Sequence, residues 1–189
     1  MTDYFEVLGL PRRAALDAEA VRAAFQTRGA VLHPDHARGE SDRAEKAGAF
    51  QALQEAYVVL ASTPRRLRHL GELLGYSVPR AGVIDESLMP LFSRIHTLLQ
   101  EADALLAQKN QATSALSKAL LTAPTLEMES SLAECAGELL ERSRELHGTL
   151  RAWDEEAPVP EVLAGAGQEA AFFEKWELQI QQRRLRLME

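Results

Sequence analysis

The side chains able to do chemistry in this 189-residue chain are mostly scattered. His33, His36, His69, His96 and His147 have no cysteine partner and lack the His-Glu-x-x-His spacing that sets two imidazoles and a base on one helix face of a zinc hydrolase. Cys135 is the sole cysteine, so neither an intramolecular disulfide nor a four-cysteine zinc site can form, and its place in an apolar stripe reads as a small buried hydrophobe. There is no glycine-rich phosphate loop, and Glu127, Glu129, Glu134, Glu138 and Glu141 read as a solvated helix face. An enzyme is not expected, nor is a resident metal or cofactor. One cluster stands out: His33-Pro34-Asp35 puts an imidazole and a carboxylate on either side of a proline. Pro34 has no amide proton and disfavours helical backbone at the residue before it, so a helix arriving there must stop at about His33.

The flanking segments supply such a helix. Asp17 is a plausible N-cap for a helix to about Leu32, with Val21, Phe25 and Leu32 on one stripe. Before it, Asp3 to Gly9 reads as one or two helical turns ended by Gly9 and Pro11. After a polar loop, a third helix is expected from Ser41 to Ala61, burying Phe50, Leu53, Tyr57 and Leu60, so that two antiparallel helices meet at an exposed loop carrying the tripeptide. Pro64 opens a further segment with Leu67, Leu70, Leu73 and Leu74, and Gly75 closes it.

A Pro- and Gly-containing linker is expected over 76–86, dividing a module of residues 1–75 from one of 87–189. In the second, Ser87 could cap a helix with Pro90 in its first turn and an apolar stripe from Leu88 to Leu106. A second stretch from Thr113, interrupted at Pro124, continues through Leu132, Cys135, Leu139, Leu146, Leu150 and Trp153 to an acidic turn at 154–156. A third, from Glu161, aligns Leu163, Ala166, Ala170, Phe173, either Trp176 or Glu177, and Ile180, with Arg183, Arg184 and Arg186 near its end. Three amphipathic stretches imply a three-helix bundle, and the whole chain reads as all-α. Composition agrees: 46% of residues are apolar and only 6% aromatic, and Ala, Leu, Glu, Gln and Arg are abundant.

The formal charge of -7 disfavours a nucleic-acid partner, since neutralising phosphates needs clustered cations. The imbalance is local: residues 1–76 hold ten basic and ten acidic side chains, the remainder eleven and eighteen. The first residues carry Asp3 and Glu6 instead of a basic patch and apolar run, so a cytoplasmic location and no membrane association are expected.

The first module resembles a J domain, by which co-chaperones stimulate DnaK-type ATPase chaperones. The resemblance rests on Asp3-Tyr4-Phe5-Glu6-Val7-Leu8-Gly9, on Phe25 ahead of His33-Pro34-Asp35, on Phe50, on Ala56-Tyr57-Val58-Val59-Leu60 and on Pro64-Arg65-Arg66. It implies that His33, Pro34 and Asp35 contact the chaperone's ATPase domain and promote hydrolysis. It also implies that basic residues of the second helix steer the encounter. Here Gln26, Thr27 and Val31 stand where cations are usual, leaving Arg22 and Arg28, and stimulation that falls as salt rises is expected.

The layout as a whole is similar to the HscB family of iron-sulfur cluster assembly, in which a J domain is joined by an elbow to a three-helix bundle. Arg66, Leu70, Leu73 and Gly75 follow its junction pattern, and Leu88-Met89, Phe92 and Phe172-Phe173-Glu174-Lys175 its scaffold-binding patches. The resemblance implies an HscA-type chaperone partner and the scaffold protein IscU as client, bound through Leu88, Met89, Phe92 and Phe172. On the residues alone, those four positions could equally be bundle core, the bundle could take another client, or the chain could be a J-like adaptor that stimulates nothing.

Overall fold

In the computed structural model the described residues are 2–33, 35, 39–75, 86–154 and 160–189, and every regular element among them is a helix. Pro34 and nearly all of the 76–86 linker lie outside the described residues. The helices are α1 (Tyr4–Leu8), α2 (Ala18–Leu32), α3 (Glu40–Ala61), α4 (Thr63–Leu73), α5 (Met89–Gln111), α6 (Ala115–Trp153) and α7 (Pro160–Met188), with a 3-10 turn at Glu86–Leu88.

The chain forms two compact units that are not divided at a single point in the sequence. One contains α1–α4 together with the part of α6 from His147 and the part of α7 up to Gln168; the other contains α5 with the remainder of α6 and α7. Residues 147–168, which the sequence reading gave to the bundle, thus cluster with the N-terminal helices.

The first unit is built on the α2–α3 hairpin, with Val21, Leu53, Ala56, Leu60 and Leu67 buried. Asp3 caps α1 by accepting from the amides of Phe5 and Glu6, and Gly9 ends it in the left-handed region at φ 65°. Asp17 caps α2 by accepting from the Glu19 amide. Gly29 faces α3, where a Cβ would sit at ordinary contact distance, 3.6 Å from Phe50 and 3.8 Å from Leu53. The α1–α2 loop is gripped at one peptide from both sides. The Ala14 amide donates to Asp154 Oδ1 (2.6 Å) and that of Ala15 to Asp154 Oδ2 (3.0 Å), while the Ala14 carbonyl accepts from Arg66 Nε (2.9 Å).

Two local expectations need correction. α6 runs through Pro124 without a break. Proline removes the bond to the carbonyl four residues back, and both Pro124 and Leu120 are exposed, so water can satisfy that carbonyl. Ser87 does not cap α5: the 3-10 turn carries the chain one residue further, and Leu88 takes the cap position without a side-chain bond.

The core of the second unit interleaves Leu91, Ile95, Leu99, Ala102 and Leu106 of α5 with Leu132, Cys135 and Leu139 of α6 and Phe173, Trp176, Ile180 and Leu187 of α7. Ion pairs Arg183–Asp103 (2.9 Å) and Arg184–Glu129 (2.6 Å) tie α7 to α5 and α6. Among the described residues no helix is long and apolar enough to cross a membrane.

Candidate functional site

His33 sits where α2 stops. Its backbone is extended, at φ -61° and ψ 130°, the conformation a following proline enforces. The chain then turns so that the Asp35 amide donates to His33 Nδ1 (3.3 Å) and Asp35 Oδ2 lies 3.4 Å from the same nitrogen. The imidazole stands edge-on to Phe50, with centroids 5.5 Å apart and planes at 72°. Phe50 is in turn 6.5 Å from Phe25, which packs 4.6 Å from Tyr57. This line of rings joins α2 to α3, so the hairpin contact that closes the fold also orients the histidine. Asp35 and about half of the His33 side chain remain open to solvent.

The cations named from the sequence differ in what they do. Arg22 is exposed and lies 4.0 Å from Glu19 on its own helix. The Arg28 guanidinium turns to the end of α1, where Nη1 donates to the Val7 carbonyl (2.8 Å). It fills the space beside Gly9 so closely that a Cβ there would fall 2.1 Å from Arg28 Nη2.

In the second unit, Leu88 is only 4% exposed and belongs to the core, whereas Met89 is 45% exposed beside it. Phe92 and Phe172, both half-buried, each lie with ring centroids 5.5 Å from the buried Trp176. Phe173 takes the core position that its neighbour leaves. Met89, Phe92 and Phe172 therefore present apolar surface, and Leu88 supports it from beneath. His96 stacks on Phe92, 6.4 Å away with planes 3° apart.

Three residues gain a positioning role that the sequence did not assign: Arg66, named there only in a junction pattern; His69, read as one of several scattered histidines; and Trp176, which the structure buries where the sequence left the choice between Trp176 and Glu177 open. Buried Arg66 donates from Nη1 to the Leu60 carbonyl (2.7 Å) and from Nη2 to Thr63 Oγ1 (3.1 Å), besides its bond to Ala14. Buried His69 accepts the Tyr4 amide on Nε2 (3.1 Å) and stacks on Phe5. Burial pushes its pKa below the usual histidine value, against the attraction of Asp3 and Glu72. His147 is lowered too, by burial and then by Arg66 and Arg151, opposed by Asp17 and Asp154. Among the described residues no group of three His, Cys, Asp or Glu side chains could hold a metal ion.

This hairpin matches a known family: residues 3–69 match the DnaJ domain. Residues 3–69 form a J domain. The J domain is accompanied by a wider likeness. A co-chaperone protein HscB homolog from Chromobacterium violaceum is 37% identical over 75 residues, covering 39% of this chain and 43% of that protein. The chain thus matches less than half the length of that relative. Among solved structures, the chaperone HscB from Vibrio cholerae superposes with a TM-score of 0.62 at 20% identity, covering 96% of both chains. The human co-chaperone protein HscB superposes with a TM-score of 0.62 at 16% identity, covering 98% of this chain and 83% of its own. Across nearly its whole length the chain has the fold of the HscB structures.

Proposed function

We propose that this protein is a co-chaperone that stimulates ATP hydrolysis by a DnaK/HscA-type chaperone and delivers a client to it, the client being an IscU-type iron-sulfur scaffold. The observation that carries the reading is the held His33–Asp35 pair at the end of α2 in a J domain, within a chain of HscB-like fold. His33, Pro34 and Asp35 engage the chaperone's ATPase domain, with Arg22 and Arg28 on the adjoining helix. Met89, Phe92 and Phe172, backed by Leu88, take the scaffold.

Steady-state ATPase of the chaperone, measured with the wild-type chain and with His33→Gln, tests the first half: strong stimulation by the former and little by the latter is expected. Equal stimulation by both would sink the mechanism. For the second half, Met89→Ser combined with Phe172→Ser should weaken scaffold binding at least about tenfold, the loss of two apolar contacts of about 1 kcal/mol each, and leave ATPase stimulation intact. Unchanged scaffold affinity would point to another client. No stimulation at all, from a folded chain, would favour a J-like adaptor.

A further inference from the structure

In the second unit, a cavity of about 510 Å³ lies between the end of α5, the first turns of α6 and the end of α7. That volume is within the range of small-molecule sites, about 300–1,000 Å³. Its floor is apolar: Leu106 is 4% exposed and Leu121 packs against the core. On α6, Lys118 and Leu126 stand two turns apart along one wall, and Leu126 is 65% exposed. Each helix adds one cation, Lys109, Lys118 and Arg186, against the carboxylate of Glu189. The surrounding sequence is the opposite, with eighteen acids to eleven bases over residues 77–189. Lys109 and Arg186 have an internal reason for their places, because α5 and α7 end at the cavity and helix C-termini favour cations; Lys109 Nζ donates to the Leu187 carbonyl (2.6 Å). Lys118 has none. It lies near the start of α6, where the helix dipole disfavours a cation, and among the described residues its ammonium has no partner. Thr125, which also lines the cavity, has a buried Oγ1 with no hydrogen-bond partner.

We propose that this cavity binds a small amphipathic anion, a carboxylate- or phosphate-headed molecule with an apolar tail of medium length. The tail lies on Leu106, Leu121 and Leu126, and Lys118 holds the head. An uncharged apolar molecule would leave Lys118 unanswered, and an inorganic anion would leave the apolar floor and Leu126 uncovered. Lys109, fixed on the Leu187 carbonyl, has two further N–H donors, so the head gains a second cation already in place. Lys109 lies about 25 Å along α5 from Phe92 at 1.5 Å per residue, so the ligand and a client bound at Phe92 do not compete for the same surface.

The test titrates decanoate, below its micellar concentration, into the full chain and follows backbone amide shifts by NMR. Saturable binding with a Kd of about 1 mM or tighter is expected, with the largest shifts over residues 106–126 and 186–189. Decyltrimethylammonium, with the same tail and a cationic head, should bind at least about tenfold more weakly, and decyl phosphate at least about tenfold more tightly than inorganic phosphate. Whichever of decanoate and decyl phosphate binds tighter names the head group. Lys118→Glu should weaken decanoate about tenfold or more and Leu126→Gln about threefold, neither lowering Tm, because both side chains are exposed. Equal binding of the anionic and cationic heads, inorganic phosphate as tight as decyl phosphate, a silent Lys118→Glu, shifts centred on Met89 and Phe92, or no saturation each overturn the inference. Chaperone stimulation and scaffold binding by Lys118→Glu should match wild type, so the cavity and the co-chaperone reading stand or fall separately.

Discussion

Arg66 concentrates at one residue what holds the J domain in shape. It is 3% exposed, yet its guanidinium is spent on the carbonyls of Leu60 and Ala14 and on Thr63. The Leu60 carbonyl is in the last turn of α3, where the helix dipole favours a cation. Replacing Arg66 by Met would leave those buried carbonyls without their donors, so a loss of about 2–4 kcal/mol in urea denaturation is expected. Gly29 offers the opposite case. It is mid-helix and buried, but an added Cβ would meet Phe50 and Leu53 at ordinary contact distance. Gly29→Ala should therefore raise stability by about 0.5–1 kcal/mol, from reduced chain entropy in the unfolded state. A destabilised Gly29→Ala would mean that α2 and α3 pack closer than these distances.

At the scale of elements, the same chemistry gives different outcomes according to where it faces. Pro34 ends a helix; Pro124 does not. α6 passes through Pro124 because the forfeited bond belongs to an exposed carbonyl at Leu120, and because neighbouring turns carry Leu121 and Leu132 on the inward face. Pro124→Ala should restore that bond and stabilise the chain by about 1–2 kcal/mol, the helix gain of about 3 kcal/mol being offset by a looser unfolded state. A lowered thermal midpoint would contradict this. α1 is only five residues long and depends on its partners: Asp3 at its start, Gly9 at its end, the Arg28 guanidinium on its carbonyls and His69 under the Tyr4 amide. Gly9→Ala should cost about 1–2 kcal/mol through left-handed strain at φ 65° and displacement of the Arg28 fork.

For the molecule as a whole, two lowered histidines set a pH dependence. His69 and His147 both have folded-state values below the ordinary value near 6.5, burial being the first cause for each. The unfolded chain thus binds more protons as pH falls through about 6.5, and stability falls with it until the folded-state values are passed. Asp3 adds a second loss at lower pH. Burial opposes ionisation there, but Arg12 and the amides of Glu6 and Phe5 outweigh it and lower its pKa, so its contribution disappears as pH falls through the folded-state value. Urea midpoints at about pH 7.5 and 5.5 should differ, the lower pH being less stable, and His69→Gln should reduce the difference. Equal midpoints for the wild-type chain would contradict the neutral state of both rings.

The amino-acid sequence by itself determined the helical class, the hairpin and its stop, because these follow from local chemistry: apolar residues at helical spacing, Asp caps, a left-handed glycine and a proline without an amide proton. It also marked His33 and Asp35, since their types and neighbours are readable in order. Only the tertiary structure decided which residues hold those in place. Arg28 reads as a surface cation until the end of α1 arrives beside it, and Arg66, His69 and Asp154 find their partners far along the chain. Likewise Leu88, Met89, Phe92 and Phe172 carry the same apolar signature in sequence. Only the fold separates buried Leu88 from exposed Met89 and from Phe92 and Phe172, which rest half-buried against Trp176, because burial depends on what the fold brings opposite, not on residue type.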